Sequence, residues 1–177
     1  MPDIKDFEGP VGKLNRMAAE EARAALLACC GSTRWADEVA GLRPFWDVGQ
    51  LLRIGRRVWV ELSPNDWLEA FRAHPRIGES KAEKETGAEA RAWSEGEQSR
   101  ARDAAAGTLD ELARANREYE ERFGFIYIVC ATGRTAEEML ALLRGRLRND
   151  PGAELRVAAE EQWRITELRL KKLLNVK

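Results

Sequence analysis

Residues 67–78 read Trp67-Leu68-Glu69-Ala70-Phe71-Arg72-Ala73-His74-Pro75-Arg76-Ile77-Gly78, and they contain the only histidine of this 177-residue chain. Apolar residues recur through the stretch at helical spacing, and His74 falls on the same face as they do. Pro75 disfavours helical backbone at His74, so we expect the helix to end there with the imidazole at its C-terminal end. The alternative to a catalytic role is a core histidine bonded to a carbonyl group.

Composition excludes several classes of protein. Lys and Arg number 29 against 30 Asp and Glu, and the two signs are interspersed. A nucleic-acid stripe or a polybasic membrane patch is therefore not expected. No apolar run reaches transmembrane length, the N-terminus lacks a signal-peptide core, and Asn175-Val176-Lys177 is not a peroxisomal address.

The cysteines and the lone histidine bear on compartment and metal. Two of the three cysteines, Cys29 and Cys30, are adjacent, which is a poor disulfide framework and suits a reducing cytoplasm. We therefore expect a cytoplasmic protein. With one histidine and no cysteine pair at zinc spacing, we expect no zinc site, although carboxylates leave a Mg²⁺ site open.

The apolar patterns predict an all-α fold in one domain, residues 1–177, with 1–11 as an extended N-terminal arm. Helices are expected over Lys13 to about Cys29, from a Ser32 or Thr33 cap through Val39, Val48–Glu61, Pro64–His74, Ser94 to about Tyr119, Thr135 through Leu147, and Pro151 to about Leu174. Two of these begin with capping boxes, at Ser94–Glu97 and Thr135–Glu138. Residues 76–93 are charged and glycine-punctuated, which predicts a loop with a helical piece.

One short apolar run, Phe123 to Cys130, has no decisive period, so it is predicted to be either an extended or a helical buried segment. On the last helix, Arg169 stands four residues after Ile165 and four before Leu173, on an apolar ridge. Its stem could pack there with the guanidinium in water. The functional alternative is a planar fork that binds a carboxylate with two hydrogen bonds.

The ordered set of motifs resembles the 2-oxo-4-hydroxy-4-carboxy-5-ureidoimidazoline (OHCU) decarboxylase family, which completes the route from urate to allantoin. The resemblance covers nearly the whole chain and rests on Cys29-Cys30-Gly31-Ser32, Arg34-Trp35, Arg43-Pro44-Phe45, Asp66-Trp67-Leu68-Glu69-Ala70-Phe71, His74-Pro75-Arg76-Ile77-Gly78, Ser94, Glu97-Gln98, Asn116, Tyr119, Phe123-Gly124-Phe125, Arg146-Leu147, Asn149, Ile165 and Leu168-Arg169-Leu170.

The resemblance implies an all-α, cofactor-free decarboxylase that acts on OHCU as a homodimer and binds no metal. His74 matches the family's catalytic histidine and Glu97 its catalytic carboxylate. The matching substrate-binding positions are Arg169, Pro75, Ser94, Gln98, Ile126, Tyr127 and Ile128. Two departures are visible: Ile126 stands where the family commonly has proline, and the interval from His74 to Glu97 is a few residues longer than usual.

Two other interpretations remain open at this point. A non-catalytic helical binding module would keep the core tryptophans and the helix caps without needing His74, Glu97 and Arg169 to converge. A related enzyme for another small ureido or hydroxy-acid compound would keep the proton-handling pair and change the residues around Ser94, Gln98 and Ile126. The residues alone do not say whether His74 or Glu97 delivers the final proton.

Overall fold

The computed structural model describes residues 9–77 and 106–176. Within these ranges it contains eight α-helices and no β-strand, which confirms the predicted all-α class. They are α1 (Gly12–Arg16), α2 (Ala19–Cys30), α3 (Thr33–Gly41), α4 (Val48–Glu61), α5 (Pro64–Arg72), α6 (Ala106–Phe123), α7 (Ala136–Arg146) and α8 (Pro151–Leu173). No helix in the described ranges is both long and apolar enough to cross a membrane.

The chain divides into two compact units, Met1–Glu69 with Trp163–Lys177, and Ala70–Gln162. The prediction of a single domain stays a prediction. In the first unit, α2 packs against α3 and α3 against α4. Trp35 and Trp59 are almost completely buried there. The Trp35 indole N–H donates to the Gly55 carbonyl at 2.9 Å, which satisfies the one polar group of a buried ring.

The helix predicted from Lys13 to about Cys29 is wrong as a single element, because it is interrupted at Met17. Met17 is extended, with φ −60° and ψ 145°, and it separates α1 from α2. The cause lies 26 residues further on: Arg43 Nη1 donates to the carbonyls of Leu14 and Met17, at 2.9 and 2.8 Å. These are carbonyls that a continuous helix would use for its own ladder. The side chain of Arg43 therefore stabilises the break.

The extended arm predicted for residues 1–11 is wrong over its described part. Residues 9–11 form a turn in which the Gly12 N–H donates to the Gly9 carbonyl at 2.9 Å, and Val11 is buried. Residues 1–8 lie outside the described ranges. Gly31 ends α2 with φ 84°, in the left-handed region that glycine adopts without strain. The Ser32 side chain then accepts from Trp35 N and caps α3, as the sequence predicted.

The second unit contains the end of α5, then α6, α7 and the start of α8. Its core joins α6, α7 and the apolar segment after Phe123, and its buried members are Ile77, Leu112, Ala115, Tyr119, Tyr127, Val129, Ala131, Ala136, Met139, Leu140 and Leu143. The predicted capping box is confirmed: Thr135 and Glu138 satisfy each other's backbone N–H groups at the start of α7.

The ends of α6 and α8 differ from the prediction. Helix α6 continues to Phe123 rather than ending near Tyr119, and Gly124 at φ 78° terminates it with its N–H on the Glu120 carbonyl at 2.8 Å. Its predicted start at Ser94, and the loop 78–93, lie outside the described ranges. Residues 126–130 are buried for the most part and form neither helix nor strand. Helix α8 ends at Leu173, one residue before the predicted end.

Candidate active site

His74 is buried, with 7% of its surface exposed, just beyond the end of α5. The helix ends at Arg72, two residues before the predicted end. Ala73 and His74 then donate their backbone N–H groups to residues three positions earlier, at 3.2 and 3.1 Å, in a tighter final turn. The imidazole thus leaves the helix at its C-terminal end, as the sequence predicted, and its Nε2 atom is buried.

The residues on the C-terminal side of His74 are hydrogen-bonded to side chains of α6. Asn116 Nδ2 donates to the Ile77 carbonyl at 2.8 Å, and Asn116 is itself buried. Arg76 forms a two-pronged contact with Glu120, with both nitrogen–oxygen distances at 2.7 Å. Two parallel N–H···O bonds fix direction as well as distance. The residues that follow His74 are therefore held from two points on one helix.

The His74 turn also packs against the apolar segment that follows α6. The rings of Phe71 and Phe125 lie 5.4 Å apart, and Ile77 belongs to the same core cluster as Tyr127. Residues on both sides of His74 are thus joined to the segment that contains Ile126–Ile128. Pro75, predicted to contact the substrate, is exposed.

Residues 126–128 form a buried segment whose backbone hydrogen-bonding groups are only partly paired with described residues. Ile126, Tyr127 and Ile128 are 7%, 3% and 2% exposed. The Ile128 carbonyl accepts from Arg146 Nη1 at 2.8 Å, and the Tyr127 hydroxyl donates to the Met139 carbonyl at 3.2 Å. Burial raises the pKa of Tyr127 to about 12, so its hydroxyl remains a donor. Between described residues, no hydrogen bond engages the backbone N–H and C=O groups of Ile126 and Tyr127.

Arg169 on α8 belongs to the first unit, and it is 2% exposed. The interpretation in which its guanidinium reaches into water is therefore wrong. Its charge acts on the buried Cys30 thiol, which also forms a hydrogen bond with Thr166. Burial is the dominant influence there and raises the pKa of Cys30 to about 12, so the thiol stays neutral. Arg169 is thus a positive charge in surroundings that exclude water.

Three of the predicted site residues, Ser94, Glu97 and Gln98, lie outside the described ranges. Of the others, His74, Pro75 and Ile126–Ile128 belong to one compact unit, and Arg169 belongs to the other. Among the described residues, no three His, Cys, Asp or Glu side chains cluster closely enough to hold a metal ion.

Sequence reasoning did not identify the side chains that hold the site's backbone in place. Asn116 holds the Ile77 carbonyl and Arg146 the Ile128 carbonyl, and both donors are buried. The sequence did contain a signal for Arg146, which follows Leu143 by three residues on the apolar face of α7. Arg169 likewise stands on the apolar ridge of its own helix. A charged residue at such a position must have a partner inside the protein.

Comparison with known proteins agrees with the motifs. A family model for OHCU decarboxylase matches residues 15–171. The uric acid degradation bifunctional protein TTL of Arabidopsis thaliana is 41% identical over 163 residues, which are 91% of this chain and 50% of that protein. The 2-oxo-4-hydroxy-4-carboxy-5-ureidoimidazoline decarboxylase of Haloferax volcanii is 30% identical over 143 residues, 76% of this chain and 77% of that protein. The chain thus spans half the length of the Arabidopsis relative.

A solved structure is also similar. The crystal structure of an OHCU decarboxylase in the presence of (S)-allantoin is 39% identical in sequence and superposes with a TM-score of 0.74. The match covers 86% of this chain and 98% of that one.

Proposed function

This chain belongs to the OHCU decarboxylase family, and from that premise we propose that it converts OHCU to (S)-allantoin in urate catabolism. Its 39% identity with an OHCU decarboxylase crystallised in the presence of (S)-allantoin supports this substrate and product. The observation that carries the proposal is burial: His74 and Arg169, which match the family's catalytic and substrate-binding positions, are 7% and 2% exposed. Ionisable side chains are rarely buried to this degree unless they are paired or take part in function.

The reaction asks little of the protein beyond positioning and proton transfer. The bond between the ring carbon and the carboxyl carbon breaks, CO₂ leaves, and the electron pair moves into the ring of the substrate. A proton then adds to one face of the ring system and gives a single enantiomer. Because the substrate accepts its own electron pair, we propose that neither a metal nor an organic cofactor takes part. The enzyme must orient the carboxylate, exclude water and supply the proton.

His74 and Glu97 are the proposed proton-handling pair. A histidine changes its charge near neutral pH more readily than any other side chain, which suits it to moving a proton. The structure supports this role by burial and by rigidity, because the residues beside His74 are held by Asn116 and packed on Phe125. A reacting group that is held in place loses little entropy when the substrate arrives.

Arg169 is proposed to bind the substrate carboxylate. A guanidinium matches a carboxylate with two parallel hydrogen bonds, and such charge-assisted bonds are strongest where water is excluded. The 2% exposure of Arg169 meets the second condition.

The ring and ureido groups of the substrate are proposed to bind Ser94, Gln98, Pro75 and the backbone of Ile126–Ile128. Burial of the segment, together with backbone N–H and C=O groups that no described residue engages, supports the last of these assignments. Buried backbone groups are almost always hydrogen-bonded to protein, water or ligand, because leaving them unpaired costs free energy. A ureido group supplies both donors and acceptors for such a backbone.

We further propose that the enzyme is a cytoplasmic homodimer. The family resemblance supports the homodimer. The cysteine pattern supports the compartment: all three cysteines lie in the described ranges and none forms a disulfide.

The proposal is tested by generating OHCU enzymatically from urate and recording CO₂ release with and without the protein. We expect wild type to accelerate release well above spontaneous decay, and dialysis against a chelator to leave the rate unchanged. His74→Asn, folded but slow, is the matched control for contaminating activity. Release no faster than spontaneous decay would contradict the decarboxylase assignment, and activity that one added metal restores after chelation would contradict cofactor independence.

A further inference from the structure

A buried polar network stands beside the Ile128 carbonyl in the second unit. Its centre is Glu154 on α8, whose surface is 0% exposed. The Glu154 carboxylate accepts hydrogen bonds from Arg146 Nε at 2.7 Å, from Asn149 Nδ2 at 2.7 Å, and from the Tyr119 hydroxyl. Arg146 Nη2 also lies 2.6 Å from Glu154 Oε1. Burial raises the pKa of Tyr119, so its hydroxyl stays a donor to the carboxylate.

The network fixes the direction of the Arg146 guanidinium. Glu154 binds its Nε and Nη2, and the ring of Tyr127 lies beneath the guanidinium carbon at 4.8 Å. A planar group held along one edge and one face has no rotational freedom left. Its remaining nitrogen, Nη1, therefore points at the Ile128 carbonyl and donates a hydrogen bond to it at 2.8 Å.

Stability alone is a weak reason for such an arrangement. A buried ion pair usually contributes no more to folding than well-packed apolar side chains of the same volume would, because both charges lose their hydration. What the pair adds is orientation. Here the oriented group is one carbonyl of the segment proposed above to bind the substrate, and the Tyr127 hydroxyl anchors the same segment on Met139.

Resting on the proposed function, we infer that Arg146 is a positioning residue for substrate binding, and that it acts through the Ile128 carbonyl. With the Ile128 carbonyl and the Tyr127 side chain anchored, the backbone groups of Ile126 and Tyr127 are held at fixed positions for the ureidoimidazoline. Arg146 itself touches no substrate. It determines where the recognising backbone lies.

The test is a double variant, Arg146→Met with Glu154→Gln. Both charges are removed together, so no charge is left buried without a partner, and the glutamine can still bind Tyr119 and Asn149. The contact with Ile128 is lost. The control is Val58→Ala, a destabilising substitution of a buried α4 residue outside the unit that contains the network.

We expect the folded double variant to lose about 10- to 100-fold in kcat/KM, mainly through KM, as a displaced binding group predicts. Val58→Ala should keep the wild-type kcat/KM. The geometry has its own readout: Ile128-Val129 is the single Ile-Val pair in the sequence, so labelling with carbonyl-¹³C isoleucine and ¹⁵N valine gives one correlation. Its carbonyl resonance should move upfield in the double variant, as carbonyl carbons do on losing a hydrogen bond.

A double variant with kcat/KM within about twofold of wild type, or an Ile128 resonance that does not move, overturns the inference. If the double variant does not fold, Arg146→Lys replaces it, because one ammonium cannot reproduce the fork that joins Glu154 to Ile128. The same two measurements are then made on the lysine variant, and the same two results would overturn the inference. Wild type that does not decarboxylate OHCU would instead overturn the proposed function.

Discussion

Replacing Arg169 with lysine is expected to raise the KM for OHCU while leaving the protein folded. The lysine keeps the positive charge but cannot form two parallel bonds to a carboxylate. Arg169 is 2% exposed, and Cys30 and Thr166 beside it are fully buried, so water cannot replace the lost contact. Loss of one charge-assisted hydrogen bond costs about 1.5–3 kcal/mol, which corresponds to roughly a 10- to 150-fold weakening of binding.

The assay measures initial rates of CO₂ release over a range of OHCU concentrations, and thermal unfolding is recorded on the same preparations. Arg156→Lys is the matched control, because Arg156 is an exposed arginine on the same helix. Its KM should equal that of wild type. An Arg169→Lys enzyme with unchanged KM and kcat would show that the buried guanidinium has a purely structural role, and the carboxylate assignment would be lost.

The remaining predictions test the proton-handling pair, the packing of the core and a buried thiol. His74→Asn should fold normally and turn over at least ~100-fold more slowly, the lower end for lost acid–base catalysis. Glu97→Gln should keep the wild-type melting temperature, since glutamine can fill a capping box, but lose most of its turnover. Gly55→Ala should cost about 1–3 kcal/mol, because the added carbon would meet two tryptophan rings at 3.1 Å, whereas Gly107→Ala, with nothing within 4 Å, should be neutral or slightly stabilising. In the Cys30→Ala variant, the free energy of unfolding should fall less steeply as the pH rises. Burial raises the pKa of the thiol from 9.0 to about 12, so between these pH values the folded chain keeps a proton that the unfolded chain releases.

Each of these has an outcome that contradicts it. A His74→Asn protein that does not fold supports the core-histidine alternative. A fully active Glu97→Gln enzyme restricts that residue to capping. Equal melting temperatures for the two glycine variants would mean that the tryptophan rings move aside at little cost. If Cys30→Ala leaves the pH dependence of the free energy of unfolding unchanged, the Cys30 thiol does not contribute to it.

Local rules predicted much of this fold because its helix signals are local. Ser32 and Thr135 cap the helices that follow them, and Gly31 ends α2 in the left-handed region. Each of these positions depends on residues within one helical turn, so a short window of sequence contains all the information needed.

The failures arise where a distant side chain decides the backbone. Arg43 binds carbonyls 26 and 29 residues away and breaks a helix whose apolar pattern is continuous. Arg146 likewise binds the Ile128 carbonyl, 18 residues away. This carbonyl lies in the apolar run after Phe123, and the spacing of that run does not predict its conformation. Sequence spacing cannot show such contacts, because they depend on tertiary packing.

The candidate site shows the same division. The position of His74 at the end of α5 followed from helical spacing and from Pro75. For Arg169, spacing left two interpretations open, and only its burial excluded the one in which the guanidinium is in water. At Ile126, where the family resemblance led us to expect proline, the neighbouring backbone is held by the Tyr127 side chain and the Ile128 carbonyl.

The handedness of the allantoin formed tests the proposed decarboxylase activity most directly. OHCU is generated from urate in the cuvette, and circular dichroism of the product is followed with the wild-type protein, with His74→Asn and without protein. Spontaneous decay protonates both faces of the ring and gives racemic allantoin, which has no dichroic signal. We predict that the wild-type protein yields (S)-allantoin with a full signal, and that His74→Asn yields little more signal than the blank. Racemic product from active wild-type preparations would contradict protonation on one face by the enzyme.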